Sequence, residues 1–135
     1  MRRRCGCHHG TVGSLHRCEE TGFTTGDFLV AVLLKMLKDQ PMHGYELVEH
    51  LSRVDYYPFP HDPSVVYGVL RKLEAQGFLT YTVEAGDGGL RKIYRLTSEG
   101  EKLFEEMVQF IGRLKDYFEK FLHSNQNTNE GFGRT

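Results

Sequence analysis

Three features of the 135-residue sequence predict an α+β fold that is mostly α: a winged helix-turn-helix domain with a C-terminal dimerisation helix. Three short helical patterns come first, two alternating segments around a glycine-rich turn follow, and a long helix with a heptad repeat comes last. We assign 1–26 to an N-terminal arm rich in Cys, His and Arg, and 27–97 to the winged helix-turn-helix domain. The dimerisation helix is assigned to 98–123 and a disordered tail to 124–135.

Composition narrows the class of protein before any element is assigned. Apolar residues make up 39% of the chain, which is ordinary for a globular protein. The longest apolar run, 28–34, is far shorter than the roughly 20 residues that span a membrane, and no signal peptide is recognised. Three clustered cysteines are too few to staple the fold, so we expect a reducing cytoplasm and no membrane partner.

Charge alternates along the chain, although the formal net charge is only −1. Segments 1–26 and 61–97 carry a basic excess, whereas 27–60 and 98–123 carry an acidic excess. The net charge therefore neither favours nor excludes nucleic acid, because binding depends on where the charges lie on the surface. We expect the acidic residues to lie on surfaces turned away from the basic ones.

The first two helical patterns predict the core of the domain. The first runs from Asp27, as N-cap, to Lys38 and is apolar on nearly all sides, which predicts a central buried helix. The second covers 43–54. Its apolar stripe consists of Tyr45, Leu47, Val48 and Leu51. An irregular connection rich in proline and aromatic residues follows at 55–63, and we expect it to pack on the domain.

The third helical pattern has two different faces. It begins with Asp62 as N-cap and Pro63 at the first helical position, and Gly77 ends it. One face is apolar and consists of Val65, Val66, Val69, Leu70 and Leu73. The opposite face presents donors and small side chains, namely Ser64, Tyr67, Gly68, Arg71, Lys72 and Ala75. A helix in the major groove needs both faces, because it packs on its own domain and offers polar groups to DNA.

Alternating residues on both sides of a turn at 85–89 predict a β-hairpin. The returning strand begins with Arg91 and Lys92, which we expect to contact backbone phosphates beside the groove. A basic pair on a helix is by itself more often a solvated surface, and this turn suits any hairpin. The order of the elements, together with the second basic pair, is what predicts double-stranded DNA as the partner.

The last helix is predicted to begin at Ser98 as N-cap, with Glu101 completing a capping box. Apolar residues at a/d heptad spacing form a seam along this helix, and they are the predicted dimerisation residues: Leu103, Met107, Phe110, Leu114, Tyr117 and Phe121. Three further apolar residues, seven positions apart, widen the seam: Phe104, Ile111 and Phe118. Such a helix is not stable alone in water, so it packs on its own domain, pairs with a second copy, or does both along its length. Pairing would set two recognition helices about one helical turn apart on an inverted-repeat operator.

Three stretches, in order, resemble signatures of the PadR-type transcriptional regulators. They are "PMHGYELVEHL" at 41–51, "SVVYGVLRKLEAQGFL" at 64–79 and "RKIYRLTSEGEKLF" at 91–104. The resemblance covers about residues 27–110 and lies in motifs whose order and gaps match. It is therefore more specific than any of the three motifs alone.

The resemblance implies a homodimeric winged-helix repressor, often one that leaves DNA when a small-molecule effector binds. It assigns Tyr67, Arg71 and Lys72 to the recognition helix, and Arg91 and Lys92 to the wing. Some members of the family bind planar aromatic ligands with tryptophan, which this chain lacks.

The N-terminal arm gathers thiols and imidazoles within a short stretch. They are Cys5, Cys7, His8, His9, His16 and Cys18. These groups are good ligands for Zn²⁺ or another transition metal, but their spacing differs from the C-x₂-C of structural zinc sites. A flexible arm with weak metal affinity is one interpretation, and an arm that senses metal or oxidant and governs DNA release is another. A third is that Arg2, Arg3 and Arg4 reach an adjacent groove of the DNA. No other cofactor is predicted.

No catalytic motif is recognised, so an enzyme is not predicted. His43, His50 and His61 lie on or beside helices and are interpreted as caps or surface residues. The alternative from another class of protein is a winged helix that binds proteins and not DNA. Substitution of Arg71 and Lys72 by alanine separates the two, because only the DNA-binding interpretation requires their charge.

Overall fold

The computed structural model describes residues 22–86 and 88–128, and its order of elements confirms the predicted winged helix-turn-helix fold. The helices of these ranges are α1 (Thr25–Asp39), α2 (Gly44–Arg53), α3 (Pro63–Ala75) and α4 (Ser98–Thr128). The strands are β1 (Met42–His43), β2 (Leu79–Gly86) and β3 (Gly89–Leu96), which form an antiparallel sheet in the order β1-β3-β2. Among the described helices, none has both the length and the apolar character that crossing a membrane requires.

The first helix, α1, is the centre of the core. The Thr24 hydroxyl accepts a hydrogen bond from the Asp27 backbone N–H at 3.1 Å, and the Asp27 carboxylate accepts one from the Thr24 backbone N–H at 2.8 Å. This capping box starts the helix at Thr25, so the prediction of Asp27 as the N-cap is wrong by three positions. Every apolar residue from Leu29 to Leu37 is buried, which confirms the predicted central helix.

The two-residue strand β1 was not predicted from the sequence. Met42 lies opposite Tyr94 of β3, and His43 lies opposite Ile93. Two residues are too short to show an alternating pattern, and their pairing depends on a strand some fifty positions further along. The consequence is that the start of α2 is attached directly to the hairpin.

The second helix, α2, begins after His43, whose backbone N–H donates to the Glu46 carboxylate at 2.8 Å. Leu47 and Leu51 are buried as predicted. Tyr45, by contrast, is 46% exposed, so its assignment to the core stripe is wrong. It lies in the first turn, beside the hairpin and not over the core.

The third helix, α3, starts and ends as predicted. The Asp62 carboxylate accepts a hydrogen bond from the Ser64 backbone N–H at 2.8 Å, and Pro63 is the first helical residue. Gly77 follows the helix with a φ of 88°, a left-handed conformation that favours glycine. The buried face consists of Val66, Leu70 and Leu73. Val65 is exposed at the edge of the first turn, so it is not the core residue that was predicted.

Strands β2 and β3 form the predicted hairpin, which is the wing of the domain. Their ladder runs from Leu79 opposite Leu96 to Gly86 opposite Gly89. Pairing therefore continues into the segment predicted as turn. Gly88 and Gly89 have φ values of 85° and 121°, which L side chains rarely adopt. These glycines allow the wing to end in a narrow tip.

The final helix, α4, is capped by Thr97, whose hydroxyl accepts a hydrogen bond from the Gly100 backbone N–H at 3.0 Å. Ser98 is the first helical residue, so the prediction of Ser98 as N-cap with Glu101 in a capping box is wrong by one position. Thr and Ser cap helices almost equally well, and the sequence alone does not rank two neighbours.

The apolar seam of α4 divides into two parts. Leu103 and Met107 are buried in the core of this chain, and their role in dimerisation stays a prediction. Tyr117 and Phe121 are 65% and 69% exposed. The helix continues to Thr128, past the predicted end at 123, so the start of the predicted tail is helical. Residues 129–135 lie outside the described part of the chain.

Candidate nucleic-acid interface

The face of α3 that points away from its buried leucines is open. Ser64, Arg71, Lys72 and Ala75 are exposed, whereas Tyr67 and Gly68 are partly buried. A Cβ added at Gly68 would meet nothing within 4 Å, so the helix is especially bare at that point. This surface has the small side chains and hydrogen-bond donors that a major groove can accept.

A concavity of about 320 Å³ lies between α3, the start of α2 and the wing. Its lining residues are His43, Gly44, Tyr45, Tyr67, Arg71, Arg91, Lys92 and Tyr94. Four residues that the sequence predicted as DNA contacts therefore lie around one depression: two from α3 and two from β3. The other predicted contacts on α3 lie along the helix outside it: Ser64, Gly68 and Lys72.

The start of α2 approaches α3 most closely at Gly44. A Cβ at this position would overlap the Tyr67 ring. Glycine therefore allows the ring to lie against the first turn of α2 inside the concavity. Gly44 was missed as a functional residue, although a glycine at the first position of a helix, where better helix formers are available, was a usable signal.

Arg91 and Lys92, the two wing cations predicted to contact phosphates, lie over tyrosine rings. The Arg91 guanidinium carbon is 5.9 Å from the centroid of Tyr45, and the Lys92 ammonium is 4.2 Å from the centroid of Tyr81. The negative face of each ring attracts the cation and limits the positions that a long side chain can take. Tyr45 and Tyr81 therefore belong to the candidate interface, and sequence reasoning missed this role for both.

Two carboxylates lie beside these cations, so the expectation that acidic residues lie elsewhere is wrong. The Glu74 carboxylate is 3.8 Å from the Lys92 ammonium. Glu84 lies opposite Arg91 in the hairpin, and its carboxylate is 3.3 Å from Nε2 of His43. The Glu74–Lys92 pair is partly exposed, and such pairs contribute at most about 1 kcal/mol.

Three ionisable groups at the interface have shifted pKa values. Hydrogen bonds from the Ser64 hydroxyl and backbone N–H lower the pKa of Asp62. The hydrogen bond from the His43 backbone N–H, followed by the bond from its ring, lowers the pKa of Glu46. Burial raises the pKa of Tyr94. At neutral pH both carboxylates are therefore charged caps of their helices, and Tyr94 is neutral.

The residues predicted as metal ligands lie outside the described part of the chain. They are Cys5, Cys7, His8, His9, His16 and Cys18. Within 22–86 and 88–128, no cluster of three or more His, Cys, Asp or Glu side chains is arranged to hold a metal ion. A metal site in the arm stays a prediction.

A second cavity, of about 370 Å³ and mostly apolar, lies between the start of α1, the connection after α2 and the middle of α4. Its apolar lining includes Phe23, Phe28, Phe59, Ile111, Leu114 and Phe118. Phe110 is adjacent, with its ring 5.6 Å from that of Phe23. The predicted seam residues Phe110 and Leu114 thus lie at the boundary between the core and the exposed end of α4.

The helical core, the open face of α3 and the basic wing define this chain as a winged helix-turn-helix protein of the kind that binds DNA. Residues 33–106 match the "Transcriptional regulator PadR-like family". The chain belongs to this family and is a PadR-like transcriptional regulator.

Individual relatives agree with this assignment. The transcriptional regulator YqjI of Escherichia coli K12 is 31% identical over 112 residues, which span 83% of this chain and 51% of YqjI. The transcriptional regulator Rv3488 of Mycobacterium tuberculosis H37Rv is 34% identical over 74 residues, which span 55% of this chain and 66% of Rv3488. The crystal structure of a PadR family regulator from Eggerthella lenta superposes with a TM-score of 0.63 at 31% identity, covering 82% of this chain and 88% of that one.

Proposed function

We propose that this regulator is a repressor that binds an inverted-repeat operator as a homodimer and reads it with α3. The concavity at which Tyr67 and Arg71 of α3 meet Arg91 and Lys92 of the wing carries this proposal. It brings together, on one surface, the two kinds of group that DNA recognition requires. Base edges are read by a helix with exposed donors, and phosphates are held by fixed cations.

The donors on α3 and the fixed cations have different roles. Ser64, Gly68 and Lys72 lie along α3 outside the concavity, on the part of the helix that faces base edges in the groove. The concavity takes a backbone phosphate, which Arg71, Arg91 and the positive end of the α2 dipole stabilise. Phosphate contacts supply affinity that falls with salt, whereas contacts on α3 supply specificity.

The exposed end of α4 supports the homodimer. Phe118 lines the apolar cavity. The large exposed apolar side chains at this end are Tyr117, Phe118, Phe121 and Leu122. A solvated helix end with four such residues is unfavourable for a single copy, and a second copy of α4 would remove them from water. The same pairing would set the two α3 helices on one side of the duplex.

Release by a small-molecule effector belongs to the same proposal. The apolar cavity lies between the start of α1 and the middle of α4 and extends to the exposed Phe118, so a ligand there would change how the two copies pair. A change in pairing alters the separation of the two α3 helices and hence the affinity for an operator with fixed half-site spacing.

The central test compares two double variants of the full chain on an operator selected from random duplex DNA. We expect Arg71→Ala/Lys72→Ala to weaken binding roughly 10- to 100-fold, and to reduce the salt dependence, because about two charged contacts are lost. Arg53→Ala/Lys102→Ala removes the same charge from positions whose recorded partners are Glu49 and Glu99. This control is expected to bind within about twofold of the wild type, since the long-range effect of two exposed charges is largely screened.

The remaining outcomes are equally informative. Equal losses in the two double variants would show that binding depends on total charge and not on α3. If folded protein selects no DNA sequence at low salt, the winged helix acts on another kind of partner, and the protein-interaction alternative replaces this proposal.

A further inference from the structure

His43 lies where three parts of the molecule meet. It belongs to β1, it precedes α2 as its N-cap, and its ring reaches the wing. Nδ1 is 2.9 Å from a carboxylate oxygen of Glu46, and Nε2 is 3.3 Å from a carboxylate oxygen of Glu84 on β2. The side chain is only 17% exposed, and the buried Nε2 has no aligned hydrogen bond.

This geometry suits only one protonation state of the ring. A neutral imidazole has one N–H donor and one lone pair, while an ionised carboxylate offers acceptors only. A neutral ring that donates to Glu46 through Nδ1 therefore directs the lone pair of Nε2 at the Glu84 carboxylate. A protonated ring donates to Glu46 through Nδ1 and places its positive charge 3.3 Å from the Glu84 carboxylate.

Charged and titratable groups face His43 from every element around it. They are Glu46 and Tyr45 from α2, Glu84 from β2, Arg91, Lys92 and Tyr94 from β3, and Tyr67 and Arg71 from α3. The cations line the same concavity and oppose protonation of the ring. The two carboxylates favour it through direct contact, and electrostatic attraction is strongest at contact distance in a partly buried position.

We propose that His43 is a positioning residue that, in its protonated form, joins the wing to the start of α2. Glu84 lies opposite Arg91 in the hairpin, so this junction fixes the strand pair that carries Arg91 and Lys92 relative to α3. Histidine is the side chain whose charge ordinarily changes between about pH 5 and 8. The junction needs the charged ring, so acidic pH favours it and alkaline pH weakens it.

A double-mutant cycle of His43→Gln and Glu84→Gln tests the junction without DNA. Chemical unfolding of the full chain is measured at pH 6 and at pH 8. We expect coupling between the two positions to change the unfolding equilibrium constant roughly two- to fivefold at pH 6, as for a partly exposed ion pair, and to be absent at pH 8. Equal coupling at both pH values, or none at pH 6, overturns the proposal.

Two further comparisons cover the case in which His43→Gln does not fold and test whether the effect is specific to His43. Glu84 is 57% exposed, so Glu84→Gln is expected to fold. If His43→Gln fails to fold, the stability difference between wild type and Glu84→Gln is compared at the two pH values, and it must be larger at pH 6. His61→Gln is the histidine control: its ring lies 6.3 Å from that of Tyr57, away from the wing, and it should leave the coupling unchanged.

The effect on DNA rests on the proposed function and is measured separately. We expect the ratio of operator affinities at pH 6 and pH 8 to exceed 1 in the wild type, and to fall toward 1 in His43→Gln and Glu84→Gln. The ratio is used because Glu84→Gln also removes a negative charge near DNA. Coupling at pH 6 without any operator binding overturns the repressor proposal and leaves the junction intact. Operator binding without pH-dependent coupling overturns the junction alone.

Discussion

Two glycines, Gly44 and Gly68, leave space beside α3 for neighbouring groups. Gly44 allows the Tyr67 ring to lie against α2, whereas Gly68 faces open space on the proposed DNA side. The same substitution at these positions therefore has opposite effects on the fold. Comparing the two alanine variants therefore distinguishes a loss of DNA binding caused by lower stability from one caused by a changed binding surface.

Gly68→Ala is expected to stabilise the fold and weaken DNA binding. Alanine is favoured over glycine inside a helix by about 1 kcal/mol, and its methyl group meets no atom within 4 Å. The methyl group would instead occupy space that the proposed recognition surface offers to the bases. Urea unfolding measures the first effect and fluorescence anisotropy with labelled operator the second. Unchanged affinity in a more stable variant would show that Gly68 does not face DNA.

Gly44→Ala is expected to destabilise the domain by about 1–3 kcal/mol, because the new methyl group overlaps the Tyr67 ring. Displacement of this ring also disturbs the concavity, so operator affinity should fall with stability. Gly68→Ala is the matched control, since it makes the same chemical change without overlap. Stability equal to that of the wild type would mean that the ring moves aside freely and that Gly44 has no positioning role.

At the scale of elements, strong patterns were predictable and local choices between similar residues were not. The apolar face of α3 and the alternation of the wing identify those elements, because burial imposes their period. The caps of α1 and α4 were misplaced, since Thr24 competes with Asp27 and Thr97 with Ser98. Tyr45 shows a further limit of the sequence. Periodicity places its ring on one face of α2, but it does not show whether the ring packs on the core or lies beside Arg91 of the wing.

The start of α2 has a pH dependence of its own. The pKa of Glu46 is lowered from its ordinary value of 4.5, first by the hydrogen bond from the His43 backbone N–H. A carboxylate with a lowered pKa contributes stability above its unfolded pKa, and the contribution disappears as the pH falls through the lowered value.

Glu46→Gln is therefore expected to lower stability at pH 7 and to have a shrinking effect below pH 4.5. The loss at pH 7 should be about 0.5 kcal/mol, near the low end for helix caps, because the Glu46 side chain is 40% exposed. Urea unfolding between pH 3 and pH 7 measures both effects. Glu49→Gln, on the exposed side of the same helix, is the control and should show little change across this range. A stability difference that grows on acidification would contradict the capping role.

At the scale of the whole molecule, the apolar seam of α4 has a buried part and an exposed part, which its sequence pattern did not separate. Leu103 and Met107 continue the heptad seam but are buried against this chain's own core. Phe110 and Leu114 lie at the boundary, and the seam residues after them, Tyr117 and Phe121, are exposed. A heptad repeat predicts an apolar stripe, but it does not say which partner covers each turn of the helix.

Phe121→Glu tests whether the exposed end of α4 pairs two copies. Phe121 is 69% exposed, so the domain itself should keep its unfolding free energy, whereas a buried glutamate would disrupt a paired helix. We expect sedimentation equilibrium to show a monomer, and affinity for the full inverted repeat to fall to that for a single half-site. Gln109→Glu adds the same charge at an exposed polar position of α4 and should remain dimeric. If Phe121→Glu stays dimeric, the copies pair through another surface, and the inverted repeat must be explained by a different arrangement of the two α3 helices.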